Sequence, residues 1–143
     1  MILLVEDNLD HAEIVMRTFK AHQVDHPVLH MTDGETALDY LRRRGEYADP
    51  EKSPRPDLIL LGLRLPRVDG LEVLKKIKQS KALCGIPVVI LTSSQAGDDL
   101  KMACEYHANS YVVKPLEFRE FTALMRSVAS YWLNCNVNPR GPR

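Results

Sequence analysis

The chain lacks an excess of either charge: Lys plus Arg and Asp plus Glu number 19 each among 143 residues. No global field draws in nucleic acid or an anionic membrane, so any partner must be chosen by local contacts. Cysteine is scarce, and Cys84, Cys104 and Cys135 are far apart without CxxC spacing. That pattern argues against a disulfide framework and a zinc knuckle, leaving buried or incidental thiols. No apolar run approaches the roughly 20 residues of a membrane span, and no basic-then-apolar leader precedes the first run, so a cytoplasmic protein is expected. A glycine-rich phosphate loop is missing too. After the first apolar run stands EDNLD at 6–10, which repels phosphate unless a metal intervenes and speaks against a flavin- or nucleotide-binding enzyme.

What the chain does have is 45% hydrophobic residues, enough for one domain with a sizeable core. Five short apolar runs alternate with helix-period segments: ILLV at 2–5, PVLHM at 27–31, LILL at 58–61, PVVIL at 87–91 and YVV at 111–113. Continuous apolar runs of this length suit strands covered on both faces, and the alternation predicts an α/β, doubly wound parallel sheet of (βα)5 type with crossover helices.

Local signals set expectations for the connections. Thr32-x-x-Glu35 predicts a capping box opening the second helix. Arg42, Arg43 and Arg44 read as that helix's solvated C-terminal end, where cations suit the dipole. Residues 45–56 form a long surface loop. The last helix is expected from Pro115 and Leu116 to Asn134, with Phe121, Leu124, Val128 and Trp132 on one stripe that reads as core-facing, and its last turns, with Tyr131 and Trp132, able to overhang and contact a partner. His22, His26 and His30 recur every four residues, but Pro27 breaks any helix through them and argues against a metal site. The domain is placed at 1–134 and a disordered tail at 135–143.

The runs end in chemically useful residues. Glu6 and Asp7 close the first, Thr92 the fourth, and Lys114-Pro115 the fifth. In an open α/β sheet those ends line the ligand crevice. Two carboxylates suit a hard divalent cation, a lysine pairs with anionic oxygens, and a threonine hydroxyl can donate to a phosphoryl group. The third run, DLILLGLRLP at 57–66, ends differently, with Gly62 and no side chain after LILL.

MILLVEDN, DLILLGLRLPRVDG, PVVILTSS and YVVKP, in this order and spacing, resemble the receiver domain of two-component response regulators. The resemblance covers roughly residues 1–134. ALDYLRRRGEYADPEKSPRPDLILL and SVASYWLNCNVNP are similar to single-domain receivers that partner phytochrome-like sensor kinases. It implies a flavodoxin-like fold with strand order 2-1-3-4-5. It further implies that Asp7 is a direct Mg²⁺ ligand, that Glu6 holds a metal-bound water, and that the Arg64 backbone carbonyl completes the protein ligands. Thr92 and Lys114 are implied to bind phosphoryl oxygens, and Tyr111 matches an aromatic switch that turns inward on activation.

In that family the third strand ends in the aspartate that accepts phosphate from a histidine kinase, and Gly62 stands at its position. Glycine can neither attack phosphorus nor ligate metal, so Mg²⁺ is expected to bind weakly, with Arg64 or Lys114 pairing to Glu6 or Asp7 instead. Asp57 lies five residues back, about 16 Å at roughly 3.3 Å per residue, and the direction of Asp69 is open. The leading reading is a non-enzymatic pseudo-receiver acting as a protein-interaction module. An aspartate-lacking variant of an ordinary phosphoacceptor is the alternative, and a flavin or nucleotide protein a distant third. Partners implied are a sensor histidine kinase or a downstream protein, with the long last helix hinting at a homodimer through the fourth helix, fifth strand and fifth helix.

Overall fold

The computed structural model describes residues 1–21 and 26–135. The strands are β1 (Ile2–Val5), β2 (Val28–Met31), β3 (Leu58–Leu61), β4 (Val88–Thr92) and β5 (Ser110–Val113). The helices are α1 (Leu9–Ala21), α2 (Gly34–Leu41), α3 (Gly70–Gln79), α4 (Gly97–Glu105) and α5 (Phe118–Ala129). All strand pairings are parallel, in the order β2-β1-β3-β4-β5. This is the expected doubly wound sheet, and each of the five apolar runs has become a strand.

Every residue of β1, β3 and β4 is buried, because side chains alternate between two covered faces. Leu3, Val5, Ile59, Leu61 and Ile90 pack with Leu38, Leu41, Val73, Leu74 and Ile77 of α2 and α3. Ile2, Leu4, Leu58, Leu60 and Val89 pack instead with Val15, Phe19, Phe121, Met125 and Val128 of α1 and α5. Burying each such side chain contributes about 1.5–3 kcal/mol, so the central strands anchor the fold and their C-terminal ends are held firmly in place.

The helix starts differ from expectation. Asp33, not Thr32, caps α2: its carboxylate accepts the Thr36 N–H at 2.7 Å and the Thr36 hydroxyl at 2.9 Å. A carboxylate takes two donors at once and suits the positive end of the helix dipole, which a threonine hydroxyl cannot match. Burial alone would raise the Asp33 pKa, but the two Thr36 hydrogen bonds outweigh it and hold it low. Helix α5 opens at Phe118 rather than at Pro115, with the Glu117 carboxylate accepting the Arg119 and Glu120 N–H groups, each at 3.0 Å. Leu116 is left in the connection, fully exposed.

At its far end α5 continues as a π-turn over Ser130–Cys135. The stripe expected there is present, with Phe121 and Val128 buried and Leu124 and Trp132 packed against the same cluster. Trp132 folds back on the core instead of overhanging, whereas Tyr131, stacked edge-on against it at 5.1 Å, is half exposed. The loop at 45–56 is better anchored than a surface loop: it carries a 3₁₀ turn at Gly45–Tyr47, and Ser53 is buried, donating to the Tyr47 and Asp49 carbonyls. Arg42 caps α2 and Arg43 takes a left-handed conformation (φ 55°), its Nε donating to the Ser53 carbonyl at 3.3 Å. Cys84 and Cys104 are exposed rather than buried. His22 and the segment 136–143, including most of the expected tail, lie outside the described residues.

Candidate functional site

The C-terminal ends of β1, β3, β4 and β5 enclose a cavity of about 260 Å³ lined by Glu6, Asp7, His11, Gly62, Arg64, Thr92 and Lys114, among others. The parallel register delivers them together, since Val5, Leu61 and Ile90 lie side by side across the sheet and Thr92 faces Val113. Every site residue singled out from the sequence lies at this edge except Tyr111, which sits one turn of the pleat back on β5.

Glu6 and Lys114 form an ion pair at the floor of the cavity, with side chains only 4% and 8% exposed. The other Glu6 oxygen accepts the Asn8 N–H at 3.2 Å. Lys114 Nζ also lies 3.0 Å from His11 Nδ1. An ammonium has only donors, so Nδ1 must accept, which places the imidazole proton on Nε2 and keeps the ring neutral. Burial, then the Lys114 charge, lower the His11 pKa below its ordinary value, against the opposing pull of Glu6, Asp10 and Asp7. The ring also packs on Phe121 with centroids 5.6 Å apart.

Arg64 turns away from Glu6 and Asp7. Its Nη2 donates to Asp99 Oδ2 at 2.6 Å, and the Ser94 hydroxyl donates to the same oxygen at 2.6 Å. Thr92 is buried, and its Oγ1 accepts the Ser94 N–H at 3.1 Å. The Tyr111 ring packs against the core while its hydroxyl donates to the Ser94 carbonyl at 2.9 Å. Asp57 lies at the opposite end of β3, paired with the Met1 amino group at 2.7 Å. Asp69 is exposed at the start of α3 and does not line the cavity. Of the histidine triplet's described members, His26 sits beside Asp57 and His30 Nε2 donates to the Glu6 carbonyl at 2.8 Å.

Gly62 continues the β1–β3 ladder, donating its N–H to the Val5 carbonyl at 2.9 Å. It is therefore no bulge. A Cβ built there would lie 3.3 Å from the Val5 carbonyl oxygen, 3.5 Å from Leu65 Cδ2 and 3.8 Å from Glu6 Oε2. A side chain fits once its neighbours give by a few tenths of an ångström, and it would face Glu6. Gly70 is a tight glycine, whose Cβ would strike the Gly62 carbonyl oxygen at 2.0 Å, as is Gly34, whose Cβ would strike the Val68 carbonyl oxygen at 2.0 Å.

Sequence reasoning missed Asn8, His11, Ser94 and Asp99. Asn8 and His11 had a local signal, since the Asn8 side chain caps α1 by accepting the His11 N–H at 3.1 Å, an N-cap spacing. Asp99 had none, because its partner lies 35 residues away. The donor set fits a divalent cation poorly. One Glu6 oxygen is held by Lys114, Asp7 is exposed, and no group of three acid, histidine or cysteine side chains among the described residues is placed to hold a metal.

A five-stranded 2-1-3-4-5 sheet with an acidic pair, a hydroxyl and a lysine at one edge defines a phosphorelay type of α/β module. The chain belongs to the response regulator receiver domain family, whose model matches residues 2–126. It is 44% identical over 99% of its length to the probable methanogenesis regulatory protein FilR2 of Methanothrix harundinacea, covering 88% of that protein. It is 41% identical over 97% of its length to response regulator Rcp1 of Synechocystis, covering 92% of it. A Mn²⁺-bound form of Rcp1 superposes with a TM-score of 0.91, at 40% identity over 96% of this chain and 97% of that one. The phosphorylated cyanobacterial phytochrome response regulator RcpA superposes at 0.92, with 38% identity over 96% of each chain. Receiver domains are two-component signalling modules that interact with sensor kinases and bind Mg²⁺ or Mn²⁺. No helix among the described residues is long and apolar enough to cross a membrane.

Proposed function

We propose that this chain is a single receiver domain, spanning 1–134, that works as a non-enzymatic protein-interaction module without phosphorylation at position 62. The observation that carries the reading is Gly62 itself, in regular extended backbone at the end of β3, bordering the cavity that Asp7, Thr92 and Lys114 also line. A hydrogen atom stands where a phosphoryl acceptor would project. Neither neighbouring acid on the 57–69 segment replaces it, because Asp57 is engaged at the other end of the strand and Asp69 lies outside the cavity. Glu6 is committed to Lys114, which leaves Asp7 and the Arg64 backbone carbonyl, both at the same cavity, to hold a cation weakly in this reading.

Similarity to Rcp1 and RcpA supports a phytochrome-like sensor kinase as the upstream partner. The face made by α4, β5 and α5, where Tyr131 is half exposed, is the surface for a downstream protein or a second copy. A second reading, that the chain is an aspartate-lacking form of an ordinary phosphoacceptor, is favoured by the room at Gly62 for a side chain.

Labelled phosphoryl transfer from a kinase or acetyl phosphate in the presence of Mg²⁺ separates the two readings. The unsubstituted chain is expected to stay unlabelled. Acid-stable or acid-labile label on it at a stoichiometric level would overturn the proposal. Labelling of Gly62→Asp alone means the remaining site is still competent and supports the second reading. No labelling of either form supports a module that has left phosphate chemistry.

A further inference from the structure

Outside the Glu6–Lys114 pair, one continuous hydrogen-bonded path joins four elements at the strand ends. It starts at Arg64, just after β3, whose guanidinium binds the Asp99 carboxylate on α4 at 2.6 Å. The Ser94 hydroxyl, in the β4–α4 connection, reaches the same Asp99 oxygen at 2.6 Å. The Ser94 N–H is held by Thr92 Oγ1 at 3.1 Å, and the Ser94 carbonyl accepts the Tyr111 hydroxyl of β5 at 2.9 Å. Ser94 is thus fixed through three of its polar groups, and Tyr111 is latched to it.

The two partners of the ion pair that opens the path differ in exposure. The Asp99 side chain is 9% exposed and that of Arg64 is 65% exposed. A buried carboxylate needs its charge met by donors, and here a serine hydroxyl and a guanidinium converge on one oxygen. Hydrogen bonding from Ser94, then from Arg64, holds the Asp99 carboxyl below the usual carboxylate range. The arginine thereby does for the β4–α4 connection what a charged group bound at the end of β3 would do: it ties that connection to the sheet edge by charge.

We infer that Arg64 is a built-in cationic tether that, through Asp99 and Ser94, holds Tyr111 in its inward position with no phosphoryl group bound. The inference rests on the reading of the chain as a phosphate-independent receiver and supplies the means by which its α4–β5–α5 face is kept in one arrangement. Packing alone is the competing account, since the Tyr111 ring also rests on the core. The two differ in what happens when the guanidinium is removed.

The test is solution NMR on the full chain without phosphodonor or added metal, with the Tyr111 ring signals identified from Tyr111→Phe. Arg64→Met keeps an apolar stem at an exposed position, so the fold persists. It is expected to shift or broaden the Tyr111 ring signals and to speed amide exchange at Ser94 and at Ala96, whose N–H donates to the Ser94 hydroxyl at 3.2 Å, by about tenfold or more, as expected for local opening. Arg64→Lys, with a single point charge in place of the guanidinium fork, should lie in between. Asp99→Asn should reproduce Arg64→Met, and combining the two should add nothing, because both sit on one path.

If Arg64→Met leaves the Tyr111 signals and those exchange rates within about twofold of the unsubstituted chain, the tether is overturned, whatever Asp99→Asn does. Additive effects in the combined variant overturn it as well. Phosphoryl labelling of the unsubstituted chain would remove the phosphate-independent reading alone, because the NMR comparison contains no donor.

Discussion

Replacing Lys114 with methionine removes a charge from one of the least exposed places in the protein while keeping most of the apolar stem. The Glu6 carboxylate, 4% exposed, would then be left with the Asn8 N–H at 3.2 Å as its remaining hydrogen-bond donor. Breaking a buried ion pair from one side costs about 3–5 kcal/mol, since the surviving charge keeps its desolvation penalty and loses its compensation. For a domain of this size that corresponds to a fall in Tm of about 10–15 °C. Glu6→Gln combined with Lys114→Met should recover most of the loss, because neither charge is then stranded.

The cost should also depend on pH, through His11. In the unsubstituted chain its pKa is lowered by burial and by Lys114. A lowered histidine pKa contributes stability that is fully present above the unfolded value and is lost as pH falls through the window down to the folded value. Without Lys114 the cationic neighbour is gone and Glu6 and Asp7 attract the protonated ring, so the His11 pKa should rise. Burial still lowers the pKa, but by less in total, so the variant loses less stability than the unsubstituted chain as pH falls and the gap between them narrows at low pH. Urea unfolding of Lys114→Met should show its largest deficit near pH 8 and a smaller one near pH 5.5, with His11 followed by its ring proton signals. A deficit under about 1 kcal/mol at every pH, with no recovery in the double variant, is the behaviour of a solvated surface pair and would refute the reasoning.

Two further substitutions probe the frame around the cavity. Gly70→Ala would place a methyl 2.0 Å from the Gly62 carbonyl oxygen and 2.7 Å from Leu63 Cα, both backbone atoms; a loss of about 3 kcal/mol or more by urea unfolding is expected, and a near-neutral change would mean that the β3–α3 connection is not held as described. Asp33→Ala should cost about 1 kcal/mol, the value of a lost N-cap, while Thr32→Ala should cost a few tenths at most; the reverse order would restore the capping box at Thr32.

The strands were legible because each is built on a short, largely apolar run, and in the three central ones a continuous four- or five-residue stretch buried on both faces leaves only its ends to be decided. Helix starts were less legible, since adjacent residues compete for the cap and the outcome turns on which side chain satisfies more donors. Asp33 beat Thr32 by accepting two hydrogen bonds from Thr36, and Glu117 beat Pro115 by accepting two backbone N–H groups. The cavity residues at strand ends could be read from rhythm alone. Asp99 and Gly70 could not, because their importance lies in what the chain brings against them from elsewhere: Arg64 in one case, the Gly62 carbonyl in the other.

The charges at the sheet edge are mostly settled inside the fold. Lys114 is matched by Glu6 and Arg64 by Asp99, which leaves Asp7, exposed at the rim, outside any ion pair among the described residues. One exposed carboxylate is solvated by water at little cost, so the edge has no strong electrostatic demand for a cation. An aspartate at position 62 would change that balance, because its side chain would start 3.8 Å from Glu6 Oε2 and like charges at such range repel strongly in a half-buried site. The repulsion would be relieved by a divalent cation or by drawing Lys114 or Arg64 away from their present partners. Gly62 and the two ion pairs are therefore consistent with one another: with no acid at position 62, lysine and arginine can stay bound to the fold's own carboxylates.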